Sequence, residues 1–445
     1  MSSLNSKAPA KPMLATQANG VRVLALPLPN ALTVNLSVFV RSGSAHEPRR
    51  LSGISHVIEH TLFKGSHTRD ARRINLDAER LGTEVNAHTD KDHSAFHMRC
   101  HPRDISASVR MLADIVLCPN FPAHELDNER QVLLQEFAED EDDPMASAWK
   151  LFDKACWGTH GAAQPVIGSR RLIESFSRDD LEAYHREHFT GANLVVAAAG
   201  PIDADKLVRE VERGFASLVR GQAQVMLTPN YGGGIRARAQ AGSSQAHAVL
   251  GFGIPGLQVK NATAEVAAAV IGEGMSSPLM QRLREERGLV YYAACAADVM
   301  DGFGQFVVEA SMARENLQET VAAAAGLLSE HASAVDPSDL ARAHKQLALR
   351  QLQLLERPQR WLEQAALDVF VHGRPRSQAR AASAAAAIGV AQVRDFMASL
   401  LQQPATLAMT GHLARDAKAR ALSALAQAGL RAKPAAAQPS PAGFG

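Results

Sequence analysis

The sequence predicts an α+β protein made of two structurally similar halves, each a mainly antiparallel sheet packed with helices. A flexible linker would join the halves into a clamshell. Three observations point there. The chain has 445 residues, too many for one ordinary hydrophobic core. Runs with period-2 apolar spacing alternate with long runs of helical spacing. Finally, an internal repeat is present. The stretch "NLVVAAAGPIDADKLVREVERGF" (193–215) reads as buried strand, glycine turn and helix, and "ATLAMTGHLARDAKARALSALAQ" (405–427) reads the same way. Gly411 stands where Gly200 stands.

Taken in order, residues 1–15 are Ala/Pro/Ser-rich and are expected to be disordered, followed by a first half over 16–227. The stretch "TPNYGGGIRARAQAGSSQ" (228–245), with three consecutive glycines, is expected to be the mobile linker. The second half covers 246–430, and 431–445 is a disordered tail. Upstream of each repeated strand and helix, both halves carry a strand, a helix, a turn and a second helix. In the first half this is "SAFHMRCHPRDISASVRMLADIV" and then "FPAHELDNERQVLLQEF"; in the second, "GQFVVEASMARENLQETVAAAAGLL" and then "DPSDLARAHKQLALRQL".

A net charge of +1 supplies no basic field for nucleic acid and no acidic tail. The four cysteines are scattered with no C-x-x-C pair, which fits buried, reduced thiols. The first residues carry no apolar signal core, and no run of 18 apolar residues follows. The cytoplasm is the expected address, without a membrane.

The chemistry concentrates in "GISHVIEHTLFKG" (53–65). On a helix, His56 and His60 share a face, so both can reach one ion. Glu59 lies one turn after His56 on nearly the same face, where a general base is useful. A catalytic His₂ pair needs a third ligand. The helix in "ELDNERQVLLQEFAEDEDDP" offers one, with Val132, Leu133 and Phe137 expected inward. Glu129 and Glu136 are two turns apart on one face. A carboxylate turned toward "VLLQEF" needs a cation or a partner. Glu136 is the better ligand and Glu129 the auxiliary acid. In the second copy these two correspond to Ala343 and Arg350, and the histidine region falls on "VIGEG" (270–274). All four groups vanish together while the scaffold pattern persists.

The stretch "GFGIPG" (251–256) fits a dinucleotide fingerprint, but Pro255 disfavours a helix opening there. It reads as a strand end and turn.

His-x-x-Glu-His, followed by Glu136 within "ERQVLLQEF", resembles the pitrilysin or insulinase family of zinc metallopeptidases, notably its bacterial processing-peptidase-like members. The resemblance covers residues 20 to 430. It implies that His56, His60 and Glu136 bind one Zn²⁺ per chain. It further implies that Glu59 activates water and that Glu129 supports the site. "LGTEVNAHTDKDHSAFH" (81–97) is similar to the family's strand beside the metal, where a peptide pairs by β-augmentation. Asn86, Ala87 and Phe96 would then bind substrate. Thr83, Asp92, Ser94 and Phe96 depart from the common glycine, glutamate, threonine and tyrosine, which puts subsite preference in question. In "GEGMSSPLMQRLREERGLVYYAACA", Arg284 and Tyr291 match the family's second signature, which implies that they hold the peptide and the developing oxyanion.

The implied activity is a metalloendopeptidase acting on peptides or unfolded polypeptides. Two alternatives stay open: a subunit active only with a partner chain, and a non-catalytic assembly or binding member. A homodimer and a heterodimer with a related chain are both compatible with the resemblance.

Overall fold

The computed structural model describes residues 11–259 and 262–433. They form two compact units, one comprising residues 11–138, 164–227 and 351–377, the other 139–163, 228–350 and 378–433.

The first unit holds a six-stranded sheet. Its strands are β1 (Met13–Thr16), β2 (Arg22–Pro27), β3 (Val34–Val40), β4 (Val85–Thr89), β5 (Ser94–Cys100) and β6 (Leu194–Gly200), in the order β1-β2-β6-β3-β5-β4. The second holds β7 (Gly234–Ala239), β8 (Ala246–Ile254), β9 (Val290–Val299), β10 (Gly304–Met312) and β11 (Thr406–Gly411), ordered β7-β11-β8-β10-β9. The repeat is topological. In each sheet one pair, β2 with β6 and β7 with β11, is parallel, and every other pair is antiparallel. Gly200 and Gly411, matched in the sequence, end the equivalent strands β6 and β11.

Each sheet is covered on both faces, which explains near-continuous apolar strands such as "LVVAAAG". Helices Ile54–Leu62, Ile105–Leu117 and Ala204–Gly214 cover one face of the first sheet. Helix Pro358–His372 covers the other. Its Trp361, Leu362, Ala365, Ala366 and Val369 form a buried stripe against Leu24, Leu26, Phe39 and Val195. In the second unit, helix Pro144–Trp157 takes the equivalent place beside β7, β8 and β11. Each half of the sequence therefore contributes one helix to the other unit, so the units depart from contiguous spans 16–227 and 246–430. An apolar stripe specifies burial, at roughly 1.5–3 kcal/mol per large side chain, but not which sheet it covers.

The expected linker and termini also need revision. Residues 234–239 form an edge strand, and Tyr231 Oη lies 2.9 Å from Pro404 O and 2.8 Å from Thr406 Oγ1. The triple glycine reflects close packing. Gly233 has φ +71°, and a Cβ there would meet Pro404 O at 2.7 Å. Residues 13–15, expected to be disordered, form β1 together with Thr16, because the strand pairs onto β2, Met13 opposite Ala25. Ala432 of the expected tail bridges Ala405. Residues 1–10 and 434–445 lie outside the described residues. Among the described residues, no single helix is long and apolar enough to cross a membrane.

Candidate metal centre

Helix Ile54–Leu62 begins after Gly53, and its first turn is held by a residue the sequence reading passed over. The buried Glu47 carboxylate accepts the Gly53 N–H at 2.6 Å and the Ser55 N–H at 2.8 Å. It thus places negative charge at the positive end of the helix. Burial nevertheless pushes the Glu47 carboxyl up to about 7, against the two backbone hydrogen bonds. Ile54, Val57, Ile58 and Leu62 face the core. His56, Glu59 and His60 share the opposite, half-buried face, with the two imidazole centroids 4.7 Å apart.

The second element is helix Ala123–Asp142. Leu126, Glu129 and Leu133 make its buried stripe, so a carboxylate with only 7% exposure occupies an apolar position. Glu136 follows two turns on. Val132, expected inward, is 44% exposed, because the stripe runs through Leu133 and the half-buried Phe137 instead.

These helices bring five of the expected residues together. Glu136 Oε2 lies 3.7 Å from His56 Nε2 and 3.4 Å from His60 Nε2. Two atoms bonded to one tetrahedral zinc at about 2.0–2.1 Å stand roughly 3.3 Å apart, so this donor set fits a zinc ion. His60, with its proton on Nδ1, donates to Glu129 Oε2 at 3.1 Å and keeps the Nε2 lone pair free. Lys64 Nζ, 2.6 Å from Glu129 Oε1, balances that buried charge. Burial, assisted by the nearby His60, lowers the His56 pKa to about 4, leaving a neutral ligand at pH 7. Its Nδ1 is buried with no hydrogen-bonding partner among the described residues. Burial also raises the Glu59 pKa. A hydrogen bond with the Thr89 hydroxyl and the charges of His60 and His88 oppose that rise, while Glu136 adds to it.

Lys64 and Thr89 were absent from the sequence-based site. Lys64 is one turn beyond His60 and was open to detection by spacing; Thr89 is brought in only by the sheet.

β4 is an edge strand, hydrogen-bonded to β5 alone. Asn86 is exposed there, and Ala87 packs half-buried on the core. Phe96 does not line this surface. It has no exposed area and sits on β5 between the rings of Phe63 and Phe189. The expectation that it binds substrate is corrected: strand alternation turns Ser94, Phe96 and Met98 inward together.

Arg284 and Tyr291 belong to the second unit. Arg284 lies in a π-turn, Gln281–Glu285, with its Nε 3.8 Å from Glu285. Tyr291 is 77% exposed on the edge strand β9, the counterpart of β4. At the positions matching the metal cluster, the second unit has a fully buried Ala343 and an Arg350–Glu273 ion pair.

Comparison with known proteins gives the family. Residues 22–170 match the insulinase family (peptidase family M16), and residues 175–347 match the peptidase M16 inactive domain. An uncharacterized zinc protease of Mycobacterium bovis is 33% identical over 71% of this chain and 74% of its own length. The chain belongs to the M16 peptidase family. A further relative, the uncharacterized zinc protease YmxG of Bacillus subtilis, is 31% identical over 68% of this chain and 74% of its own. Among solved structures, a Helicobacter pylori protease superposes with TM-score 0.82 at 20% identity, covering 91% of this chain and all of that one. A peptidase M16 inactive domain from Pseudomonas fluorescens gives 0.81 at 20% identity, over 91% and 98%. These two share this chain's fold. His56, Glu59, His60, Glu129 and Glu136 all fall in the insulinase match, and Arg284 and Tyr291 fall in the other.

Proposed function

We propose that this M16 family member is a zinc metalloendopeptidase that hydrolyses peptides or unfolded polypeptides. The observation carrying the reading is the His56–His60–Glu136 triangle with Glu59 on the same helix face. Relatives named zinc proteases support it.

Zinc, when bound, supplies Lewis acidity that polarises a carbonyl and acidifies water. The remaining work belongs to the chain. Glu59 takes a proton from the attacking water and returns it to the departing amine. Burial raises its pKa, which makes it a stronger base, and the Thr89 hydroxyl steadies the carboxylate. Glu129 fixes the His60 tautomer. The substrate adds as a strand along β4 beside Asn86 and Ala87, using unpaired edge groups. Arg284 and Tyr291 bind the peptide and stabilise the developing oxyanion.

The test compares wild type with Glu59→Gln. The variant is expected to bind as much zinc as wild type and to lose cleavage of an unfolded casein substrate. Full cleavage by Glu59→Gln would end this reading.

A further inference from the structure

Outside the centre just described, the first unit contains a second convergence of metal-ligating side chains. We infer that His88, His93 and Glu363 form a second divalent-metal site, suited to zinc, that clips helix Pro358–His372 to the β4–β5 hairpin.

The geometry repeats that of the first centre. There, two imidazole nitrogens face one oxygen of Glu136. Here, His88 Nε2 and His93 Nε2 lie 3.1 Å and 3.2 Å from the same atom, Glu363 Oε1. In the first centre a carboxylate holds the outer nitrogen of one histidine, Glu129 on His60. At the second, Asp92 Oδ1 accepts from His93 Nδ1 at 2.7 Å. A proton on Nδ1 leaves the Nε2 lone pair of His93 aimed at an anionic oxygen, an arrangement that demands a second proton or a cation. Two borderline imidazole donors and one hard carboxylate make a mixed set of the kind that holds zinc.

Burial is graded in a way that suits loading. His93 is 2% exposed and Asp92 is buried, whereas His88 and Glu363 remain about one-third exposed. Both open onto a cavity of about 570 Å³ that Glu356, Arg99, Arg357 and Arg360 also line. The three guanidinium groups oppose a cation at long range, so affinity must come from direct ligation.

The bridged segments are about 270 residues apart in sequence. An ion there would close a long loop and anchor the contributed helix beside the edge strand carrying Asn86.

The test is a metal count on the full-length, tag-free protein. The chain is stripped with a chelator, reloaded with Zn²⁺, passed through gel filtration and assayed by atomic emission. Wild type is expected to hold two ions. The double variant His56→Ala/His60→Ala should hold one. Glu363→Gln and His88→Ala should each hold one, leaving the buried His93 in place to preserve the fold, with circular dichroism as the control. Adding Glu363→Gln to the double variant should give none. A single ion in wild type that the double variant loses, or a second ion retained by folded Glu363→Gln and His88→Ala, would overturn the assignment. Co²⁺ reloading gives an independent reading: the visible absorption of the double variant should disappear on adding Glu363→Gln, and its persistence would count against the site.

Discussion

Glu129 Oε2 stands 3.1 Å from His60 Nδ1, while its other oxygen meets Lys64 Nζ at 2.6 Å. One buried carboxylate thereby orients a candidate ligand and is itself charge-balanced. Among the described residues His56 has no equivalent support, since its Nδ1 meets no hydrogen-bonding partner there. The site's orientation therefore depends on one glutamate. Replacing Glu129 with Gln removes the charge but keeps the shape, and zinc affinity is expected to fall about 10–100-fold. Chelator competition measures this directly. Unchanged affinity would reduce Glu129 to a partner for Lys64.

Much of this centre was legible because its geometry is helical. Spacings of four and seven residues place His56 with His60, and Glu129 with Glu136, each on one stripe of its helix without any tertiary information. What escaped depends on other elements. Thr89 reaches Glu59 from a strand, and Glu47 caps the histidine helix from across a loop. The helix containing Trp361 reads as buried from its own stripe, but nothing in that stripe selects the first sheet. Phe96 is a different case. The alternation in "SAFHMRC" already turns it inward, and the family resemblance drew it to the surface.

Glu47 gives a signed pH dependence. Its folded pKa is raised from 4.5 to about 7 by burial, so the folded chain binds the extra proton between those values. Stability from this group is therefore greatest at the acidic end and declines as pH rises toward about 7, with no further change above. Wild type should lose stability relative to Glu47→Gln as pH rises across that window in denaturant titrations. A difference independent of pH would show that Glu47 ionises normally.

The triple glycine before β7 separates a loose linker from a packed one. At Gly233, φ is +71° and a Cβ would collide with Pro404 O. Gly233→Ala is expected to destabilise the protein by at least about 1 kcal/mol, seen as a lower Tm by calorimetry. A flexible linker would tolerate alanine or gain slightly from it through a stiffer unfolded chain.

Phe96→Tyr tests whether position 96 concerns substrate or packing. The ring lies without exposure against Phe63 and Phe189, so an added hydroxyl would enter an apolar, buried setting. Burying an unsatisfied hydroxyl costs roughly 1–3 kcal/mol. Denaturant unfolding should register that loss, while the cleavage pattern on a mixed peptide library stays the same. A changed cleavage pattern at unchanged stability would return position 96 to the binding surface. The two measurements separate because β5 pairs with β4 through its backbone, Ala87 opposite Phe96, so ring chemistry at 96 reaches the core and not the free edge.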